Sequence, residues 1–164
     1  ENIVVIDGLS KSHAMSGWRV GWVVAPIQLT NHLGRFSFMS IFGTPQFIQD
    51  AAAFALNNDE YYVREMRAKY QKRRDLVCSR LAQMPRLSYL TPESGMFIMV
   101  NISAFFKDDK EFAQKLLDAE KLSVLPGSAF GAGTTGHIRL SLVQPEDVLS
   151  EGCNRLERFL KAMS

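Results

Sequence analysis

The chain has 164 residues, 46% of them apolar and 22% charged, with a formal net charge of +2. That is enough apolar material for one sizeable core, and it excludes a disordered chain. The near-balanced charge, with no long block of one sign, argues against nucleic acid or a strongly anionic surface as the partner.

The chain opens with Glu1 and Asn2 running straight into the strand-like IVVID, without an initiator methionine, which reads as a cut through a larger protein. Residues 3–6 and 20–24 are short and largely apolar, the pattern of strands buried in a parallel sheet. Between them lies a polar turn with Lys11. Pro26 then starts a helix carrying Ile27, Leu29, Leu33 and Phe36. A second helix is expected over residues 44–56, with Thr44 as N-cap and Pro45 in the first helical position.

A longer helix over residues 60–84 spaces Tyr62, Met66, Tyr70, Val77 and Leu81 on one face. Arg73 and Arg74, within YQKRRD, read as its solvated side. Strands follow at 87–90 and 96–102, a helix at 110–120, and strands at 123–125 and 137–143. A terminal helix from Pro145 puts Val148, Leu149, Cys153, Leu156, Phe159 and Leu160 on one face. No apolar run approaches the length that spans a bilayer. Cys78 and Cys153 stand far apart without metal-ligand spacing. They read as buried free thiols in a reducing cytoplasm, and the three dispersed histidines give no metal site.

Chemistry concentrates in residues 9–22, LSKSHAMSGWRVGW, where Lys11 is followed eight residues later by Arg19 beside Gly17 and Gly21. A lysine attacks an aldehyde when desolvation or a neighbouring cation keeps part of it as the free amine. An arginine offers a rigid charged fork that takes two phosphate oxygens at once. The pair describes a site for an aldehyde that also carries a phosphate. Farther on, Arg139 lies among Ile138, Leu140 and Leu142, where a charge requires a partner or an outward-facing side.

These segments resemble the fold-type I, class I/II pyridoxal phosphate-dependent aminotransferases. The lysine segment is similar to the family pattern SKxxxMxGxRxGW, PESGMF (residues 92–97) to PxxGxF, and VLPGSAFG with HIRLSL to the segment carrying the substrate-carboxylate arginine. The resemblance covers essentially the whole chain and lies closest to the aspartate, aromatic and arginine:pyruvate aminotransferases. It implies an α/β chain, the C-terminal part of such an enzyme. Residues 1–56 would be the remnant of the large cofactor-binding domain, 57–84 an interdomain helix and 85–164 an α+β small domain.

The resemblance also implies the roles. Lys11 would be the Schiff-base lysine for pyridoxal 5'-phosphate, Arg19 its phosphate ligand and Arg139 the clamp on the substrate carboxylate. Amino acids and 2-oxo acids would be the substrates, and the assembly a cytoplasmic homodimer. Gly8 departs from the pattern, since the family usually has a phosphate-binding serine or threonine there, and Ser10 is the nearby hydroxyl that would compensate. The ring-nitrogen aspartate and the glycine-rich phosphate helix would lie upstream of Glu1, so this stretch alone is expected to be inactive. Two alternatives share the motifs: the aminotransferase-like sensor domain of a transcription regulator, and a related lyase or synthase using the same cofactor.

Overall fold

The apolar start of the chain extends into β1 (Val5–Gly8), which pairs antiparallel with β2 (Gly21–Val24). This computed structural model describes residues 2–163. The apolar pattern suggests strands of a parallel sheet, whereas these two pair antiparallel with each other, and Val5, Ile6, Val23 and Val24 are exposed. The link between the strands folds into α1 (Leu9–Ser12) and a 3₁₀ turn at Ser16–Trp18. These tight turns send the chain straight back along β1, without the crossover that parallel neighbours require. Gly8 and Gly21 face each other in the register. A Cβ on Gly8 would stand 2.9 Å from the Val20 carbonyl oxygen, and one on Gly21 2.8 Å from that of Asp7. Bare glycine backbones therefore allow the close approach.

The chain divides into two compact units, Glu1–Met66 and Arg67–Ser164. In the first, α2 (Ile27–Ile41) follows Pro26 and α3 (Gln46–Asn57) follows Pro45. Thr44 does not cap α3. Pro45 is still extended, with φ −52° and ψ 142°, so the helix begins one residue later than expected. Thr44 instead accepts, through its carbonyl, a 2.8 Å hydrogen bond from the Gln49 side chain. Both helices turn large apolar side chains outward, among them Phe36, Phe38, Met39, Phe47 and Phe54.

Helix α4 (Glu60–Leu81) runs through the division between the units and ends short of the expected Met84, which is nevertheless buried. The second unit is built on an antiparallel sheet of β3 (Ser88–Tyr89), β4 (Phe97–Asn101), β5 (Leu125–Pro126) and β6 (His137–Ser141), in the order β3-β4-β6-β5. Strand alternation points Ile98, Val100 and Ile138 into the core. They pack with Val77 and Leu81 of α4, Phe112 and Leu116 of α5 (Asp109–Glu120), and Leu156 and Phe159 of α6 (Glu146–Lys161). Burying each such side chain contributes about 1.5–3 kcal/mol. Phe112 anchors the cluster edge-on to both Phe106 and Phe159. Helices layered over one sheet face give the expected α/β class.

Two details of the helices differ from the sequence reading. Val148 is 48% exposed, because one residue before Leu149 the helix surface has already turned away from the core. Arg73 and Arg74 are not merely solvated. Arg73 donates to the Leu142 and Val143 carbonyls and lies over the Tyr70 ring, while Arg74 donates to the Pro92 carbonyl. Their long stems let the charged heads reach backbone oxygens in neighbouring loops. Cys78 and Cys153 are free and buried, and burial pushes both thiols up.

Gly127 follows β5 where the chain is most crowded. An added Cβ would overlap the Thr134 carbonyl oxygen and come within 2.8 Å of that of His137. Gly127→Ala is therefore expected to destabilise the protein by about 3 kcal/mol. Urea denaturation measures it, and an unchanged midpoint would mean that this loop yields to the methyl group.

Candidate active site

The lysine turn is fixed from beneath. Leu9, the first residue of α1, is 1% exposed, whereas Lys11 two residues on is exposed. His13 closes the turn, with a side chain only 8% exposed and Nε2 3.6 Å from an Asp59 carboxylate oxygen. Its ring is stacked on Tyr62 at 6.3 Å, and Nδ1 lies 2.9 Å from the Ser12 hydroxyl. The segment is thus held at Leu9 and His13, and the residue between them is presented outward.

Arg19 reaches the same place by an unusual backbone conformation. Its φ of 53° and ψ of 44° lie in the left-handed region, which costs a non-glycine residue about 1 kcal/mol. One guanidinium nitrogen donates 2.9 Å to the Ser16 carbonyl, which holds the head while leaving the other nitrogens free. An open cleft of about 570 Å³ is lined by Asp7, Gly8, Ser10, Lys11, Ser12, Arg19, Val20 and Gly21. Lys11, Arg19 and Ser10 thus share one cleft.

Sequence reasoning gave Asp7 no role, yet its carboxylate lines this cleft and accepts a 2.7 Å bond from the Gly8 N–H. Two cations against one carboxylate leave the cleft net positive. The donor set fits a phosphate-bearing aldehyde: an amine, a guanidinium with free nitrogens and a hydroxyl on one concave surface. No described residue engages the Lys11 ammonium. At Gly8 the backbone leaves little room for a side chain, since an added Cβ would stand 2.9 Å from the Val20 carbonyl oxygen.

Arg139 belongs to the second unit. It sits on β6 opposite Met99 of β4 and Leu125 of β5, on the face away from the core. Its guanidinium carbon lies 4.1 Å from the Phe97 ring centroid and 4.0 Å from that of Phe130. Two aromatic rings thus cover the charge, which is attracted to their electron-rich faces. Among the described residues no carboxylate pairs with Arg139. A half-buried guanidinium without an acidic partner is suited to an anion from outside the chain. Phe97 and Phe130 were not singled out from the sequence, although each lies inside a motif, PESGMF and SAFG.

The family model for aminotransferase class I and II matches residues 1–156. The chain belongs to that family. It is 46% identical over 156 residues to the arginine–pyruvate transaminase AruH of Pseudomonas aeruginosa, covering 95% of this chain and 40% of that protein. An aspartate aminotransferase of Pyrococcus horikoshii is 34% identical over 163 residues, 98% of this chain and 42% of its own length. The crystal structure of an aromatic aminotransferase from the same organism superposes with a TM-score of 0.93 at 35% identity, covering 97% of this chain and 43% of the other. The chain thus spans about two fifths of the length of these relatives.

The glycine pair gives a direct test of whether the cleft tolerates a side chain at position 8. Gly8→Ser is expected to cost about 2 kcal/mol of stability and to weaken retention of a phosphate-bearing ligand, because the new Cβ pushes β1 from β2. Unfolding midpoints and ligand retention measure both. Tighter retention with unchanged stability would show that the cleft accommodates a side chain at this position.

Proposed function

We propose that this chain supplies the cofactor lysine and the substrate arginine of a pyridoxal phosphate-dependent aminotransferase, which moves an amino group from an amino acid to a 2-oxo acid. The observation that carries the reading is the gathering of Lys11, Arg19 and Ser10 on one net positive cleft. The relatives described above are transaminases, which favours amino-group transfer over the regulator and lyase readings.

Bound pyridoxal phosphate would supply an electron sink for the negative charge that develops on the substrate's alpha carbon. Lys11 would be the attachment point, and its Nζ, when free, would be the base that takes the alpha proton and delivers it to the carbon that had carried the cofactor's aldehyde oxygen. Arg19 would hold the phosphate, with Ser10 as the hydroxyl donor beside it, an anchorage independent of any bond to Lys11. Arg139 takes the substrate carboxylate with its fork. The Phe97 and Phe130 rings, each about 4 Å from the guanidinium carbon, would help to hold that fork in place.

The 46% identity with the arginine–pyruvate transaminase makes L-arginine and pyruvate the first substrate pair to test, with L-aspartate and 2-oxoglutarate as the comparison. The two unpaired thiols support a reducing, cytoplasmic setting. Family kinship supports a homodimer, as do the many exposed aromatic and aliphatic side chains of α2 and α3.

Borohydride reduction of the cofactor-loaded protein followed by peptide mass spectrometry is expected to place the phosphopyridoxyl mass on Lys11. Its appearance on another lysine instead would remove the assignment. Arg139→Lys keeps the charge but loses the fork. It is expected to lower kcat/KM for alpha-amino acids by roughly two orders of magnitude, about 2–3 kcal/mol, with cofactor content unchanged. Unaltered efficiency would make Arg139 a structural charge.

A further inference from the structure

One buried carboxylate holds both ends of the loop that covers Arg139. Asp109, in the first turn of α5, is 2% exposed, the one buried charged side chain among the described residues. Its Oδ1 accepts a 2.6 Å bond from the Ser128 hydroxyl, and its Oδ2 accepts 3.0 Å bonds from the backbone N–H groups of Ser128 and Gly136. Burial alone would raise this carboxyl's pKa. The three donors, with Lys110 beside them, outweigh burial and hold it below the usual carboxylate range. Asp109 is thus an ionised acceptor, and charge-assisted bonds of this kind are about twice as strong as neutral ones.

The loop between those anchor points closes on itself. The Thr134 hydroxyl lies 2.7 Å from the Gly127 carbonyl and 2.9 Å from that of Gly131. Phe130 stands two residues after Ser128, and Arg139 three residues after Gly136. The ring on one side of the guanidinium and the start of the strand that carries it therefore depend on the same carboxylate. Helix capping does not explain Asp109, because Asp108 already caps α5 by accepting from the Lys110 and Glu111 N–H groups.

We propose that Asp109 is a positioning residue for substrate-carboxylate recognition: by tying Ser128 and Gly136 together it fixes Phe130 and the start of β6, and so keeps the Arg139 fork aimed. This rests on the reading of Arg139 as the carboxylate clamp. A misaimed clamp weakens capture of the carboxylate and leaves the Lys11 cleft as it was, so the signature is a rise in KM without loss of cofactor.

The test uses Asp109→Asn, which keeps the size but removes the charge and one acceptor oxygen. In the cofactor-loaded protein, KM for the transaminated amino acid is expected to rise about tenfold, with kcat and cofactor content within about twofold of the parent. A second readout needs no turnover: phenylglyoxal labelling of Arg139, followed by peptide mass spectrometry, is expected to accelerate about fivefold once the aromatic cover loosens. Placed on Arg139→Lys, the same substitution is expected to add less than about twofold to KM, because both changes strike one interaction.

An unchanged KM and labelling rate, or the full KM rise recurring on Arg139→Lys, overturns the proposal. If Asp109→Asn does not fold, Ser128→Ala takes its place, removing only the hydroxyl bond. A KM rise of about threefold then supports the proposal, and none overturns it. If Arg139→Lys itself leaves KM and efficiency unchanged, the carboxylate reading fails. The labelling rate still decides whether Asp109 positions Arg139.

Discussion

The guanidinium of Arg139, over the Phe97 and Phe130 rings and with no acidic partner among the described residues, is the contact on which three segments of the second unit converge. A charge removed from water without a counter-ion is costly, and aromatic faces offset only part of that cost. The guanidinium carbon lies over both rings, about 4 Å from each centroid. With no carboxylate of the described residues paired to it, the fork has its N–H donors available for an incoming carboxylate. The ring contacts are also why the neighbouring strands must keep a fixed register: Phe97 comes from β4, Arg139 from β6, and Phe130 from the turn after β5.

The rest of that unit makes the register rigid. Ile98, Val100 and Ile138 are buried on the opposite sheet face, so a slip of one residue would exchange the core side chains with Phe97, Met99 and Arg139. Helices α4, α5 and α6 supply the Phe112-centred cluster beneath. Arg73 and Arg80 link α4 to the chain around α6, through the Leu142 and Val143 carbonyls and the Asn154 side chain. In the first unit precision comes from backbone geometry instead. The Gly8 and Gly21 contact and the left-handed Arg19 shape a cleft whose charged groups remain exposed.

Much of the candidate site was legible in the sequence because the chemistry proposed for it depends on residue type and spacing. Lys11, Ser10 and Arg19 share one short connection between two strands, so reading the strands places all three on one surface. Arg139 stood out as a charge in an apolar strand. Its aromatic cover was not legible, because Phe97 and Phe130 are far apart in sequence and meet only through strand pairing. Asp109 was hidden for a related reason: an aspartate at a helix start reads as a dipole or capping residue, and only the folded loop shows Ser128 and Gly136 converging on it. The strand expectations failed at pairing rather than existence. Apolar runs reveal that a segment extends, but the turns of residues 9–20 decide its neighbour and direction. Arg73 and Arg74 show the same limit, since helical periodicity cannot see carbonyls that a distant loop brings within reach.

On the proposed function, the unpaired fork of Arg139 receives the substrate carboxylate. Comparing the binding of an alpha-amino acid with that of its C-terminal amide, in the parent protein and in Arg139→Ala, isolates that interaction from everything else the substrate touches. The parent is expected to prefer the acid by roughly two orders of magnitude, and that preference is expected to vanish in Arg139→Ala. A preference for the acid that survives the loss of Arg139 would contradict the account.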